Sequence, residues 1–200
     1  MPRGLGREEG EREAQEYEAR DHWSELIIGV MAAIPTLETE RLVLRAFRAD
    51  DFEAHASMAA DPLVARYLGD GRTLDREEAW RTFAMLLGHW ELRGYGLWAL
   101  TRRGDDRMIG RVGFFFPEGW PGFEIGWTLE RAAWGNGYAT EGARRALAYG
   151  FEMLGQDRVI SVIHPANAPS IRVAERIGER FDRVQQVKGQ ERMIYAVSRT

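Results

Sequence analysis

Gly135 and Gly137 stand two residues apart in the stretch Trp134-Gly135-Asn136-Gly137-Tyr138-Ala139-Thr140-Glu141, between a strand-like alternation and a helical pattern. A strand, a glycine turn and a helix in that order build an anion site. Glycine lets the backbone turn sharply and come close to a ligand. The first turn of the helix supplies unpaired N–H groups and the positive end of its dipole. A phosphorylated ligand is the natural occupant. A P-loop is excluded because it needs GxxxxGK[ST], and the only lysine of the chain is Lys188. The dinucleotide fingerprint GxGxxG fits poorly, since Thr140 stands where the third glycine belongs and the next strand ends at His164 rather than at an acid.

Periodicity indicates which elements hold this turn. Alternation predicts strands over Arg41–Phe47, Leu97–Arg102, Met108–Phe116, Phe123–Leu129 and Arg158–His164, with a hairpin around Gly104-Asp105-Asp106. In the fourth of these strands Phe123, Ile125, Trp127 and Leu129 share one face, leaving Glu124, Gly126 and Thr128 on the other. Asp50 with Glu53 and Asp75 with Glu78 read as capping boxes, and Asp61-Pro62 opens a short helical segment. In the helix to Arg93, Trp80, Phe83, Ala84, Leu87 and Trp90 form the expected buried stripe. After the glycine turn a helix carries Ala143, Ala146, Leu147, Gly150, Phe151 and Leu154 along one side and ends at Gly155. Strand, helix, strand implies a parallel crossover. Asn167 caps a further helix that Gly178 closes, and Phe181–Val187 with Glu191–Ser198 form a last hairpin.

Two hundred residues with 44% apolar content suit one domain, here residues 34–200, preceded by an extension over residues 1–33 that is helical or disordered. The net charge of −4 resides in that extension, where residues 1–30 carry four arginines against eight acids, so the remainder is neutral. No nucleic-acid surface is expected. There is no membrane-length apolar run and no signal pattern, so the cytoplasm is the expected location. The absence of cysteine excludes disulfides and an acyl-cysteine intermediate. His22, His55, His89 and His164 are scattered without metal-ligand spacing, so no metal is expected.

Further motifs extend the glycine turn on both sides: Thr39-Glu40-Arg41-Leu42-Val43-Leu44-Arg45, Glu124-Ile125-Gly126-Trp127 and Asn167-Ala168-Pro169-Ser170-Ile171-Arg172-Val173. With it, they resemble the RimJ/RimL-type branch of the GNAT N-acetyltransferases over about residues 35–198. The resemblance implies a mixed α/β (α+β) fold with a mostly antiparallel sheet of about six to seven strands, splayed between the fourth and fifth, and about four flanking helices. It also implies transfer of an acetyl group from acetyl-CoA, as co-substrate, directly to a primary amine in a ternary complex. The acceptor is a protein N-terminal α-amine or a small-molecule amine, and the chain a monomer or homodimer. A second reading is a non-catalytic acyl-CoA sensor.

On this resemblance the amides of Gly135, Asn136, Gly137, Tyr138, Ala139 and Thr140 cradle the diphosphate beside Trp134. Main-chain groups of Trp127, Thr128 and Leu129 pair with the pantetheine arm, and one N–H there stabilises the oxyanion. Asn167 caps its helix and touches the cofactor arm. Glu124 is the base, directly or through water, or else an ion-pair partner of Arg111. Ser170 is the acid for the leaving thiolate or a hydrogen-bond donor to it, or is simply a first-turn residue, since residues 168–178 lack the tyrosine many relatives use. Asp61–Arg72, the aromatic helix and the Trp120 loop are the expected source of acceptor specificity, with His164 near the cleft. An α-amine is roughly a quarter neutral at pH 7.5 and a lysine about a thousandth, a gap of roughly 3.3 kcal/mol, so an α-amine needs less help from a base. Glu179 takes a position usually held by phenylalanine in the family, and Phe181 is expected to compensate.

Overall fold

The computed structural model describes residues 33–199; the expected extension, with His22, lies outside the described residues apart from Ala33. The strands are β1 Leu37–Glu38, β2 Leu42–Arg45, β3 Leu97–Arg102, β4 Met108–Phe115, β5 Glu124–Leu129, β6 Arg158–Ile163, β7 Arg180–Val187 and β8 Gln190–Ser198. The helices are α1 Asp51–Ala60, α2 Pro62–Ala65, α3 Arg76–Arg93, α4 Tyr138–Glu152 and α5 Ala168–Arg176, with a 3₁₀ turn over Arg131–Ala133. All eight strands join one sheet in the order β1-β2-β3-β4-β5-β6-β8-β7. That exceeds the expected six to seven strands, because β1 has only two residues and shows no alternation. Every neighbouring pair is antiparallel except β5 and β6, which α4 connects as a crossover.

The sheet separates two cores, and β3 shows how. Trp98 and Leu100 join Ala143, Ala146 and Leu147 of α4 in one cluster, whereas Leu97 and Ala99 join Met58, Phe83 and Leu86 of α1 and α3 in another. Successive side chains of a strand point to opposite faces, so one β-strand serves both layers. Ile163, Ala174 and Tyr195 form a smaller cluster under α5.

The entry to α1 departs from expectation. Asp50 makes no capping hydrogen bond, and Glu53 pairs with Arg76 instead of turning back. Asp51 displaces that box: its carboxylate takes both Arg45 Nη atoms at 2.7 and 2.8 Å and the Arg48 amide at 2.7 Å. A buried bidentate pair is stronger than a solvent-exposed cap. Arg45 also donates to the Asp106 carbonyl at 2.8 Å, so one guanidinium ties β2, α1 and the β3–β4 turn. The local box of α3, Asp75 with Glu78, forms as expected.

The buried side of α3 also differs, comprising Ala79, Phe83, Leu86, His89 and Trp90, while Trp80 and Leu87 are exposed. His89 shifts the face. Its ring stacks on Phe115, accepts the Phe116 amide at 3.0 Å through Nε2 and meets the Tyr95 carbonyl at 2.8 Å through Nδ1, so a polar residue is the anchor. Apolar counting does not register such a residue.

Phe181 does not fill the space expected of it. It is 52% exposed and meets Tyr195 edge to face, while Glu179 is buried and neither of its carboxyl oxygens has a hydrogen-bond partner among the described residues. Burial pushes the Glu179 carboxyl up to about 8. The Ser161 hydroxyl nearby lowers it only in part, being committed to the Ile125 carbonyl at 2.9 Å, and the Glu124 charge adds to the rise. A carboxyl whose folded pKa exceeds its ordinary 4.5 favours the folded state below that value, and the benefit is lost as pH rises toward about 8. Glu179→Gln, which cannot ionise, should therefore raise Tm relative to wild type by at least about 3 °C more at about pH 8.5 than at about pH 5. Thermal unfolding at the two pH values reads this directly, and a pH-independent difference contradicts it.

Candidate active site

The β5–β6 pair opens after one register position, Glu124 opposite Ile160. The Ile160 amide still donates to the Phe123 carbonyl at 3.0 Å. The next bond of a parallel ladder would join the Val162 amide to the Ile125 carbonyl. Side chains take both groups instead. The Val162 amide donates to Glu124 Oε1 at 3.2 Å, and Ser161 Oγ donates to the Ile125 carbonyl at 2.9 Å. Beyond this point the strands diverge. By the same alternation the main-chain groups of Trp127 and Leu129 face the gap, while those of Thr128 face β4, where it pairs with Arg111. Thr128, Gly126 and Glu124 line the cavity on the α1 and α3 side.

The turn after β5 is held by its carbonyls. Gly135 and Gly137 have φ of +76° and +78°, a region closed to most side chains, and a Cβ at Gly135 would meet nothing within 4 Å. Trp134, half exposed, folds its indole back to donate to the Leu129 carbonyl at 2.9 Å. Asn136 Nδ2 donates to the Trp134 and Ala133 carbonyls, and Arg41 Nη1 to the Asn136 carbonyl at 3.1 Å. The first helical bond of α4 runs from the Glu141 amide to the Gly137 carbonyl. The six amides from Gly135 to Thr140 have no partner among the described residues.

Thr39, Arg41 and Glu141 brace that turn, a role the sequence reading did not assign. Glu141 accepts from Thr39 Oγ1 at 2.6 Å, from the Arg41 amide at 3.0 Å and from Arg41 Nε at 2.7 Å. The same guanidinium lies 5.0 Å from the centre of the Tyr138 ring. All three residues fall within motifs already noted, but their contact spans about a hundred positions and is invisible locally.

Glu124 does not pair with Arg111. Trp120 Nε1 donates to its Oε2 at 2.5 Å and the Val162 amide to its Oε1, its two hydrogen bonds among the described residues. Burial pushes this carboxyl up to about 8, and the two donors hold it lower than burial alone would. Ser170 follows the Asn167 cap, whose Oδ1 accepts the Ser170 amide at 3.3 Å; both residues line the cavity. His164 is at the rim, its ring tilted against that of Tyr67 with centroids 5.2 Å apart, and its Nδ1 accepts the Ala166 amide.

The cavity has a volume of about 610 Å³ and reaches from Ser170 and Trp127 to the segment around Tyr67. The Asp61–Arg72 stretch, α3 and Trp120 all contribute to its wall. Among the described residues no cluster of His, Asp and Glu is arranged to hold a metal, and no helix is long and apolar enough to cross a membrane.

Comparison with known proteins places these features in a family. The chain is 34% identical over 148 residues to the uncharacterised N-acetyltransferase YoaA of Bacillus subtilis (strain 168), covering 72% of this chain and 82% of the relative. A crystal structure of an acetyltransferase from Agrobacterium tumefaciens str. C58 superposes with a TM-score of 0.77 at 32% identity, over 84% of this chain and 96% of that one. The RimL ribosomal L7/L12 alpha-N-protein acetyltransferase in complex with coenzyme A shares the fold, with a TM-score of 0.69 at 16% identity over 82% of this chain and 98% of that one. Residues 41–180 match the family described as Acetyltransferase (GNAT) domain, and the chain belongs to that family.

Proposed function

We propose that the protein transfers an acetyl group from acetyl-CoA directly to a primary amine, through a ternary complex, in the manner of the RimJ/RimL-type branch. The observation that carries this reading is the run of six unpaired amides, Gly135 to Thr140, at the end of a strand gap that opens beside a half-buried carboxyl. A diphosphate fits those amides, because partial charges on N–H groups and the end of α4 balance it without a lysine. An extended pantetheine arm fits the gap, pairing with the Trp127 main chain and the Leu129 amide as an added strand would, the Leu129 carbonyl being taken by the Trp134 indole. Acetyl-CoA supplies the activated acyl carbon. Asn167 and Ser170 flank the same gap from the start of α5.

In the transfer itself, Glu124 takes a proton from the attacking amine, directly or through a water. The Trp127 amide donates to the carbonyl oxygen as negative charge develops there. The C–S bond breaks as the C–N bond forms, and the Ser170 hydroxyl donates to the departing thiolate. Trp120 and Val162 fix the carboxyl of Glu124 so that its reach into the cavity is set before the amine arrives. A pKa of about 8 makes the group a stronger base than an ordinary carboxylate, at the expense of its ionised fraction below pH 8. The acceptor is a small molecule or a protein N-terminus that can reach the cavity.

Free-thiol release from acetyl-CoA, read against a panel of amines and N-terminal peptides with product masses, tests the reading. Binding of acetyl-CoA with no amine-dependent thiol would favour a sensor instead. Glu141→Ala should weaken acetyl-CoA binding by about tenfold or more by calorimetry, because the Asn136 carbonyl and the amides behind it lose their brace. With an acceptor whose own amine pKa lies well below neutrality, kcat/KM should rise with pH through about 8, since Glu124 must be ionised to act. Glu124→Gln should abolish that limb and lower kcat/KM by about 10²-fold or more. Ser170→Ala should lower kcat by about tenfold with little effect on KM.

A further inference from the structure

Arg111 is a cation in the cavity wall with no counter-charge among the described residues. It sits on β4 opposite Ala99 of β3 and Thr128 of β5, so its side chain leaves the sheet toward α1 and α3. Among the described residues it makes no ion pair, and its one hydrogen-bond partner is His55, with Nη1 3.1 Å from Nδ1. His55 Nε2 lies 2.9 Å from Thr82 Oγ1, and that hydroxyl lies 2.9 Å from the Ala79 carbonyl. A guanidinium can only donate, so Nδ1 accepts, Nε2 carries the proton and donates to Thr82, and Thr82 donates to Ala79. The relay has a fixed direction and ends on a neutral carbonyl.

His55 cannot supply the missing charge. Burial, and then the nearby Arg111 charge, push its pKa down to about 3. Burial pushes Arg111 down to about 10, which leaves it a cation at neutral pH. The relay uses one of five guanidinium donors. The other charged groups of the wall do not compensate: Asp70 is tied to Arg72, Glu124 is held by Trp120 and Val162, and Lys188 and Arg192 add positive charge. A half-buried guanidinium left without an anion is costly, and its planar fork matches a carboxylate in two parallel bonds.

Position specifies the ligand further. Arg111 stands opposite Thr128, one residue past Trp127, whose amide faces the strand gap. Adjacent strands are about 4.8 Å apart. A carboxylate gripped by Arg111 therefore lies within a few bonds of the place where an acyl carbon in the gap would meet its acceptor. We propose that Arg111 binds the carboxylate of the acceptor, so that the acceptor is a small amino acid, carrying amine and carboxylate in one molecule. The proposal rests on the acetyl-transfer reading above and narrows it.

The test is a panel of small α- and ω-amino acids, each paired with its carboxamide, assayed for acetylation and for binding to the protein loaded with CoA. At least one acid should be favoured over its amide by about tenfold or more in kcat/KM and in affinity. Arg111→Gln should bring that ratio to within about threefold of one, and Arg111→Lys should retain part of it, with acetyl-CoA affinity unchanged in both. Equal use of acids and amides overturns the proposal, as does a preference that survives Arg111→Gln. A wild-type protein that binds acetyl-CoA but neither binds nor acetylates any of the acids overturns it too. Failure of the wild type to bind acetyl-CoA would remove the acetyl-transfer reading itself, and this inference with it.

Discussion

The arrangement of the molecule depends on where one parallel ladder stops. β5 and β6 begin as ordinary neighbours, and the Val162 amide would continue the ladder if the Ile125 carbonyl were available. Glu124 and Ser161 satisfy those two backbone groups from the side, so the strands begin to separate with both of them paired. An unmet backbone group would be expensive, so the gap exists because two polar side chains make it affordable. The carboxyl that ends the ladder also faces the cavity, and the same burial raises its pKa into the range where it can exchange protons near neutrality.

The glycine turn follows a related logic with opposite polarity. In the ladder, side chains satisfy an amide; in the turn, Asn136 and Arg41 satisfy carbonyls and the amides are left over. Six consecutive N–H groups then carry the positive potential that a lysine supplies in other phosphate sites. Arg41 does not need to reach a ligand to matter. It is held by Glu141 and steadies the peptide whose carbonyl it binds. The turn is therefore braced by contacts between the β1–β2 connection and α4, far apart in the chain.

Much of this was legible in the residues because the signals were local. The glycine pair, the Asp75–Glu78 box, the Asn167 cap and the alternation of β5 each lie within a few positions of their effect. The failures share a cause. Asp50 looked like a cap until Arg45 drew Asp51 into a buried pair, and the stripe on α3 was misplaced because His89 packs against Phe115. For Glu124 the alternative to a base was an ion pair with Arg111 of the neighbouring strand, whereas the actual donors come from the Trp120 loop and from β6. Arg111 found His55, fifty-six positions earlier, which no spacing rule connects to it. Side-chain partners across the fold are set by tertiary packing, and a linear pattern holds no record of them.

Lys188 belongs to the tight turn between β7 and β8, is exposed, and lies 5.4 Å from the centre of the Trp120 ring. It is also the chain's single lysine. Any reagent selective for side-chain amines must therefore attach at one position, at the lip of the cavity and next to the indole that steadies Glu124. A fluorophore or spin label placed there would sit on a natural vantage point, reporting on occupancy of the cleft without a cysteine having to be introduced.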